Sequence, residues 1–326
     1  MIVTRIASAL LVAMFVAGAS ADSPPALRSV ATVPLPGVSG RIDHLAFDPA
    51  TRRLFVAALG NNTVEVIDAA GNLHVRSLSG FHEPQGIAVV PDMKAVAIAN
   101  GATGTLQLVE ADSLKTRWTA AVGEDADNVR YDAARKELFV AADGLAVVDP
   151  RSGQVVGRLD VGGHPESFQL ESQSTRLFAN VPAARQVIAA DRAPLRVTAR
   201  WTVTAQANYP MALDEAGGRL FIGCRRPAHL AVLDTGSGRA VGSTAIVGDT
   251  DDLFYDRTRQ RLYVIGGEGF IDVIQRDGDT LQRIDRVATR DGARTGLWVP
   301  SESRLYLAVP ARGGQPAEIR VFDRPN

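Results

Sequence analysis

"HLAFDPATRRLFVAALGNNTVEVID" occupies residues 44–68. It divides into three short runs rich in Val, Leu, Ile and Phe, separated by "DPATRR" and "LGNN". Apolar residues alternate within the runs and Pro, Gly, Asn and Asp mark the breaks, so the stretch reads as three antiparallel strands joined by tight turns. Versions of it return along the chain. They are "GIAVVPDMKAVAIANGATGTLQLVE" (86–110), "NVRYDAARKELFVAADGLAVVD" (128–149), "SFQLESQSTRLFANVPAARQVIAAD" (167–191), "MALDEAGGRLFIGCRRPAHLAVLD" (211–234), "DLFYDRTRQRLYVIGGEGFIDVIQ" (252–275) and "TGLWVPSESRLYLAVPARGGQPAEIRVFD" (295–323).

The first apolar residue of each second strand is Leu54, Val96, Leu138, Leu177, Leu220, Leu262 and Leu305, at steps of 42, 42, 39, 43, 42 and 43 residues. A fourth strand follows most copies, as in "LHVRSLSG", "KTRWTAAVG" and "QVVGRLDVGG". Four strands every 40–45 residues is the period of a propeller blade. The sequence therefore predicts an all-β fold, a seven-bladed β-propeller with four antiparallel strands per blade. The seventh copy stops after its third strand, and "ALRSVATVPL" (26–35) resembles the missing fourth. The N-terminal strand is expected to complete the last blade and close the ring, which hides an edge otherwise open to aggregation. A pair of β-sandwiches explains neither the constant period nor the incomplete last copy.

Arg5, an apolar run from Ile6 to Ala17 and the small residues Ala19-Ser20-Ala21 have the layout of a secretory signal peptide, too short to span a bilayer. Cleavage is expected near Ala21, with residues 22–326 forming one propeller domain outside the cytoplasm, periplasmic or secreted, without membrane insertion and as a monomer. The 326 residues carry a formal net charge of -1, with 22% charged and 46% hydrophobic residues. That balance gives no electrostatic reason to expect nucleic acid as a partner. Cys224 is the only cysteine, so no internal disulfide can form.

The first strand of a propeller blade lines the central channel, and the residues just before it gather at the channel mouth. Eleven residues upstream of each anchor, the ring reads Asp43, Gln85, Asp127, Glu166, Tyr209, Asp251 and Arg294. One residue later it reads His44, Gly86, Asn128, Ser167, Pro210, Asp252 and Thr295, and two residues earlier Arg41, Glu83, Asp125, His164, Ala207, Asp249 and Gly292. The anchors repeat while the rim diversifies, as a binding site grafted on a scaffold should. The candidate ligand-binding set is Asp43, His44, Gln85, Asp127, Asn128, Glu166, Tyr209, Asp251, Asp252 and Arg294. A merely solvated mouth would also be polar, and Asp before a strand often bonds its own turn.

Four acids, Asp43, Asp127, Glu166 and Asp251, form the candidate oxygen set for a divalent cation. Arg41 and Arg294 at the same mouth oppose a bare metal and favour a polar organic ligand. Asp127 with Glu166, or Asp251 with His44, are the pairs that could do acid/base work. Neither Gly-x-Ser-x-Gly nor His-Glu-x-x-His occurs. No cofactor is required by any motif.

"LFVAALGNNTVEVID", "LFVAADGLAVVD" and "LFIGCRRPAHLAVLD" resemble the YVTN repeat, and "HPESFQLE", "GDTDDLFYD", "GGEGFIDV" and "GART" resemble a bacterial exported group of YncE-like proteins. The resemblance implies an exported seven-bladed propeller. Related propellers include lactonases, streptogramin lyases and surface-layer proteins. The expectation is a non-enzymatic binding or scaffold protein that holds a small polar molecule or a partner protein at the mouth. The alternative is a metal-dependent lactonase-type hydrolase or lyase that uses the rim carboxylates.

Overall fold

The computed structural model describes residues 25–325. The expected secretory leader, residues 1–21, lies outside the described residues. Seven four-stranded antiparallel sheets follow one another along the chain. Blade 1 shows the pattern: Leu45–Asp48, Arg53–Ala58, Thr63–Asp68 and Leu73–Leu78 run from the inside outward, each paired with the next. The innermost strands of neighbouring blades touch all the way round, and Thr295–Val299 of blade 7 meets Leu45–Asp48 of blade 1. The chain is a seven-bladed β-propeller.

Closure occurs as the sequence predicts. Blade 7 comprises Thr295–Val299, Arg304–Val309 and Glu318–Asp323, and its outer strand is the N-terminal Arg28–Pro34. Arg28 pairs with Asp323 and Pro34 with Glu318.

Successive side chains of a strand point to opposite faces, so each blade presents one apolar set to the blade before it and another to the blade after. Leu54, Val56 and Ala58 pack toward blade 7, whereas Phe55 and Ala57 pack toward blade 2. Every interface holds one such cluster, giving seven clusters for seven interfaces. All seven anchor residues are fully buried and face the preceding blade. No blade can bury its own faces alone, so stability is shared between neighbours around the ring.

On the face opposite the mouth, three interfaces are also pinned by buried ion pairs. Asp132, Asp214 and Asp256 end the innermost strands of blades 3, 5 and 6. Each receives a guanidinium from the following blade: Arg192 on Asp132, Arg276 on Asp214 at 2.6 Å and Arg324 on Asp256 at 2.6 Å. The sequence reading did not find these pairs.

Glycine is demanded at one point that matters for the mouth. A Cβ built on Gly86 would stand 2.2 Å from the Asp127 carbonyl oxygen of the next blade. Backbone meets backbone there, and no rotamer can relieve the clash. Gly86→Ala is expected to destabilise the fold by about 1–3 kcal/mol, as overpacking does, and to displace Asp127. Urea unfolding measures the first effect and ligand titration the second. A variant as stable as wild type would show that the two blades are not so closely apposed.

Candidate functional site

The inner strands of all seven blades begin at one end of the channel and end at the other, so residues preceding them converge. Gln85, Asp127, Glu166, Tyr209, Asp251 and Arg294 line one cavity of about 430 Å³. Six of the seven ring positions thus meet, one from each of six blades. Arg41, Glu83, Asp125 and His164 from the ring two residues earlier complete the wall, with Leu59 and Arg225. Within that earlier ring Glu83, Asp125, Ala207 and Asp249 all take left-handed φ values between 50° and 57°. Left-handed backbone is costly for residues other than Gly, and its recurrence, with Gly292 at 84°, shows that one turn geometry is imposed at five of the seven blade entries.

Asp43, the seventh ring member, does not line the cavity. It is buried below the rim, and Arg41 Nη2 lies 2.5 Å from its Oδ2. His44, Asn128 and Asp252 form a second layer deeper in the channel. His44 Nδ1 lies 3.5 Å from Asp252 Oδ1, and its Nε2 lies 3.6 Å from Asp43 and 3.9 Å from Asp127. Burial alone would pull the imidazole pKa down, but Asp252, Asp43 and Asp127 outweigh it and raise it to about 10. Asn128 Nδ2 donates to the Glu166 carbonyl at 2.6 Å and also sits 3.0 Å from His44 Nε2, a contact that suits only an unprotonated Nε2. The carboxylates decide the charge. A misplaced amide contact costs on the order of 1 kcal/mol, less than leaving three buried acids beside a neutral ring.

The cavity wall is divided by charge. On one side Asp251 is gripped by Arg225 Nη2 at 2.6 Å and Arg294 Nε at 2.8 Å, and Arg294 also reaches Asp249 at 3.2 Å. Burial raises the Asp251 pKa to about 6 while the two guanidiniums hold it down, so it is ionised at pH 7. The Arg225 guanidinium stacks 3.9 Å over the Tyr209 ring.

On the other side stand Asp127, His164 and Glu166, whose ligand atoms all lie within 4.8 Å of one another. Among the described residues no arginine forms a salt bridge with Asp127 or Glu166. Burial, then repulsion from Asp127, raises the Glu166 pKa to about 7. Burial likewise raises that of Asp127. Burial opposes protonation of His164, but Asp127 overcomes it and moves the ring upward.

Of the four acids considered for a cation, the fold brings Asp127 and Glu166 together and assigns Asp43 and Asp251 to arginines. His164 joins the first two because residues two apart on extended chain share a face. The preceding Gly162 and Gly163, with φ of 87° and 146°, turn the backbone into that segment. Ser167, next in sequence to Glu166, is buried. Arg225 was missed. It sits near the end of Arg219–Arg226, a second strand of eight residues where blade 1 has six, so its tip reaches back to the mouth. The one sequence signal was the doublet Arg225-Arg226 directly after an apolar strand. His74, outside the site, is the 2.7 Å partner of the fully buried Glu65.

A separate hollow of about 770 Å³ lies on the opposite face between blades 7 and 1, beside the arginine-paired Glu302 and Asp323. It contains none of the diversified rim positions. Among the described residues no helix is long and apolar enough to cross a membrane.

No family model matches the chain, and no curated protein matches it. Among solved structures, it is similar to a chain in a crystal structure of the mitotic checkpoint complex. The identity is 14%, the match covers 99% of each chain, and the TM-score is 0.79. At that identity the likeness shows the fold alone. Propellers host many functions, so function must be argued from the mouth.

Proposed function

We propose that this chain is an exported YncE-like propeller that acts as a binding protein rather than an enzyme, holding a small polar molecule at the channel mouth. The convergence of six unlike rim residues on one cavity carries this reading. Its volume, about 430 Å³, falls in the range of small-molecule sites. A second hollow of about 410 Å³ adjoins it through His164, Glu166 and Tyr209 and adds Arg185 and Arg226. A ligand with an anionic group directed at the arginines and hydroxyl or amino groups directed at the acids matches the divided wall. Export rests on the signal-peptide layout of residues 5–21.

Thermal-shift screening against amino acids, sugar acids and lactones tests the proposal. At about a hundredfold excess over Kd a true ligand stabilises by about 2.7 kcal/mol, and a rise of roughly 5 °C in melting temperature is expected for a domain of this size. Tyr209→Ala and Gln85→Ala should abolish the shift while leaving the unliganded melting temperature nearly unchanged. A melting temperature that no candidate moves would sink the small-molecule reading and leave a protein partner at the mouth.

One observation favours a second reading, the lactonase-type hydrolase. Glu166 titrates near neutrality, where a general base works best. Lactone hydrolysis lost in Glu166→Gln, with binding retained, would establish it.

A further inference from the structure

We infer that Asp127, His164 and Glu166 form a binding site for a divalent transition metal, with zinc as the ion the donor set fits best. The inference rests on the mouth being a ligand site and names part of what it holds. Two independent observations carry it.

The first is geometric. The Asp127 and Glu166 carboxylates and the His164 imidazole each offer a ligand atom within 4.8 Å of the other two, and His164 Nε2 stands 3.9 Å from Asp127 Oδ2. For three atoms so spaced some point lies within about 2.8 Å of all of them, and zinc takes His and carboxylate ligands at about 2.0–2.2 Å. Side-chain rotations of well under an ångström each would close the difference.

The second is an orphaned atom. Asp127 lines the cavity yet is only 7% exposed, and its Oδ1 is fully buried without a hydrogen-bond partner. A buried carboxylate oxygen is ordinarily satisfied by a donor or an ion. The neighbouring cations do not serve it. Arg41 is bonded to Asp43, and Arg225 and Arg294 are bonded to Asp251. His44 Nε2 comes no closer to Oδ1 than 3.9 Å.

The donor types narrow the metal. One imidazole and two carboxylates suit zinc and its transition-metal neighbours, whereas calcium needs six or more oxygens and magnesium an octahedron largely of water and oxygen. Three protein ligands beside a cavity leave a fourth position facing the mouth, where a carboxylate or hydroxyl of the polar ligand can bind. The ion also supplies positive charge to the side of the wall that lacks arginine.

Zinc binding to the full protein, stripped with EDTA and titrated in competition with a chromogenic chelator, tests the inference. About one zinc per chain is expected, with affinity lowered at least about 10-fold in His164→Ala and in Glu166→Gln, taking loss of a ligand to be no milder than loss of its supporting partner. Glu166→Gln removes a charge from a crowded acidic cluster, so its stripped form should melt at or above wild type, which separates lost ligation from lost folding. Arg135→Ala, which breaks an exposed pair with Glu137 away from the mouth, should bind zinc within about threefold of wild type. Zinc that fails to compete with the chelator, or that binds all three variants alike, overturns the site. If stripped protein still responds to an organic ligand while zinc does not bind, the metal inference falls and the binding reading stands. If zinc binds and no organic ligand does, the metal site stands and the small-molecule reading falls.

Discussion

Arg192→Ala should lower the stability of the whole ring by about 3–5 kcal/mol, the usual consequence of removing one partner from a buried pair. The side chains of Arg192 and Asp132 are only 5% and 4% exposed. Besides holding Asp132, the guanidinium donates to the carbonyls of Glu171, Ser174 and Thr175. Alanine removes all of these donors together and leaves an unpaired carboxylate inside the interface of blades 3 and 4. Asp132 Oδ1 still accepts the backbone N–H groups of Ala134 and Arg135, so the turn itself remains bonded. Placing Asp132→Asn in the Arg192→Ala background deletes the stranded charge and preserves an acceptor for that turn. The double variant should recover at least about 1 kcal/mol. Arg135→Ala, which breaks the exposed pair with Glu137, should cost less than about 1 kcal/mol. Urea unfolding at pH 7 measures all three, and a loss below about 1 kcal/mol in Arg192→Ala would contradict the account. The effect should also reach the mouth, because the strand that ends at Asp132 follows directly from Asp127 and Asn128.

These pairs mark a limit of what the sequence discloses. The seven-fold period was legible because each blade must bury two faces, and that requirement writes the same alternation seven times. Leu54, Leu138 and Leu262 recur because each fills the same seat against the preceding blade. The pairing of Asp132 with Arg192 crosses a blade boundary and spans sixty positions, and nothing in either residue's local pattern announces the other.

The mouth was legible to an intermediate degree. Counting back from the anchors finds residues that share a height along the channel axis, so Gln85, Asp127, Glu166, Tyr209, Asp251 and Arg294 were found together. Height does not determine depth. Asp43 shares the height but lies beneath Arg41, whose guanidinium covers it. Nor does counting reveal which acids are already neutralised. Asp251 looked as available as Glu166 until Arg225 arrived from the tip of a longer strand. His164 was visible in the earlier ring, but the metal set had been drawn from acids of a single ring. The fold combines two rings of one blade with one residue of its neighbour.

Raising the pH from 7 to 10 should destabilise the EDTA-treated protein by about 3–5 kcal/mol through His44 alone. Its imidazole titrates near 10 in the folded chain and near 6.5 in the unfolded chain, and each unit of difference corresponds to about 1.36 kcal/mol. Because the folded value is the higher one, the folded state binds the proton more tightly. The stabilisation is complete below pH 6.5 and disappears as the pH climbs through 10. The groups that face the ring are Asp252, Asp43 and Asp127, with Arg130 buried nearby and acting on the same acids. Glu166 and Asp251 are also raised, to about 7 and about 6, so their contributions fall with pH as well. Both finish titrating near neutrality, whereas His164, also raised, and the Cys224 thiol, pushed up to about 12 by burial, add their own alkaline losses, so the difference between wild type and His44→Asn isolates the His44 share. In His44→Asn the slope between pH 7 and 10 should flatten, and the two proteins should differ most in stability at pH 7 and least at pH 10. Urea midpoints measured at intervals of one pH unit give the comparison. If the wild-type slope survived in His44→Asn, the ring would be neutral at pH 7, its Nε2 would accept from Asn128, and the three acids around it would depend on Arg41 and Arg130 for their compensation.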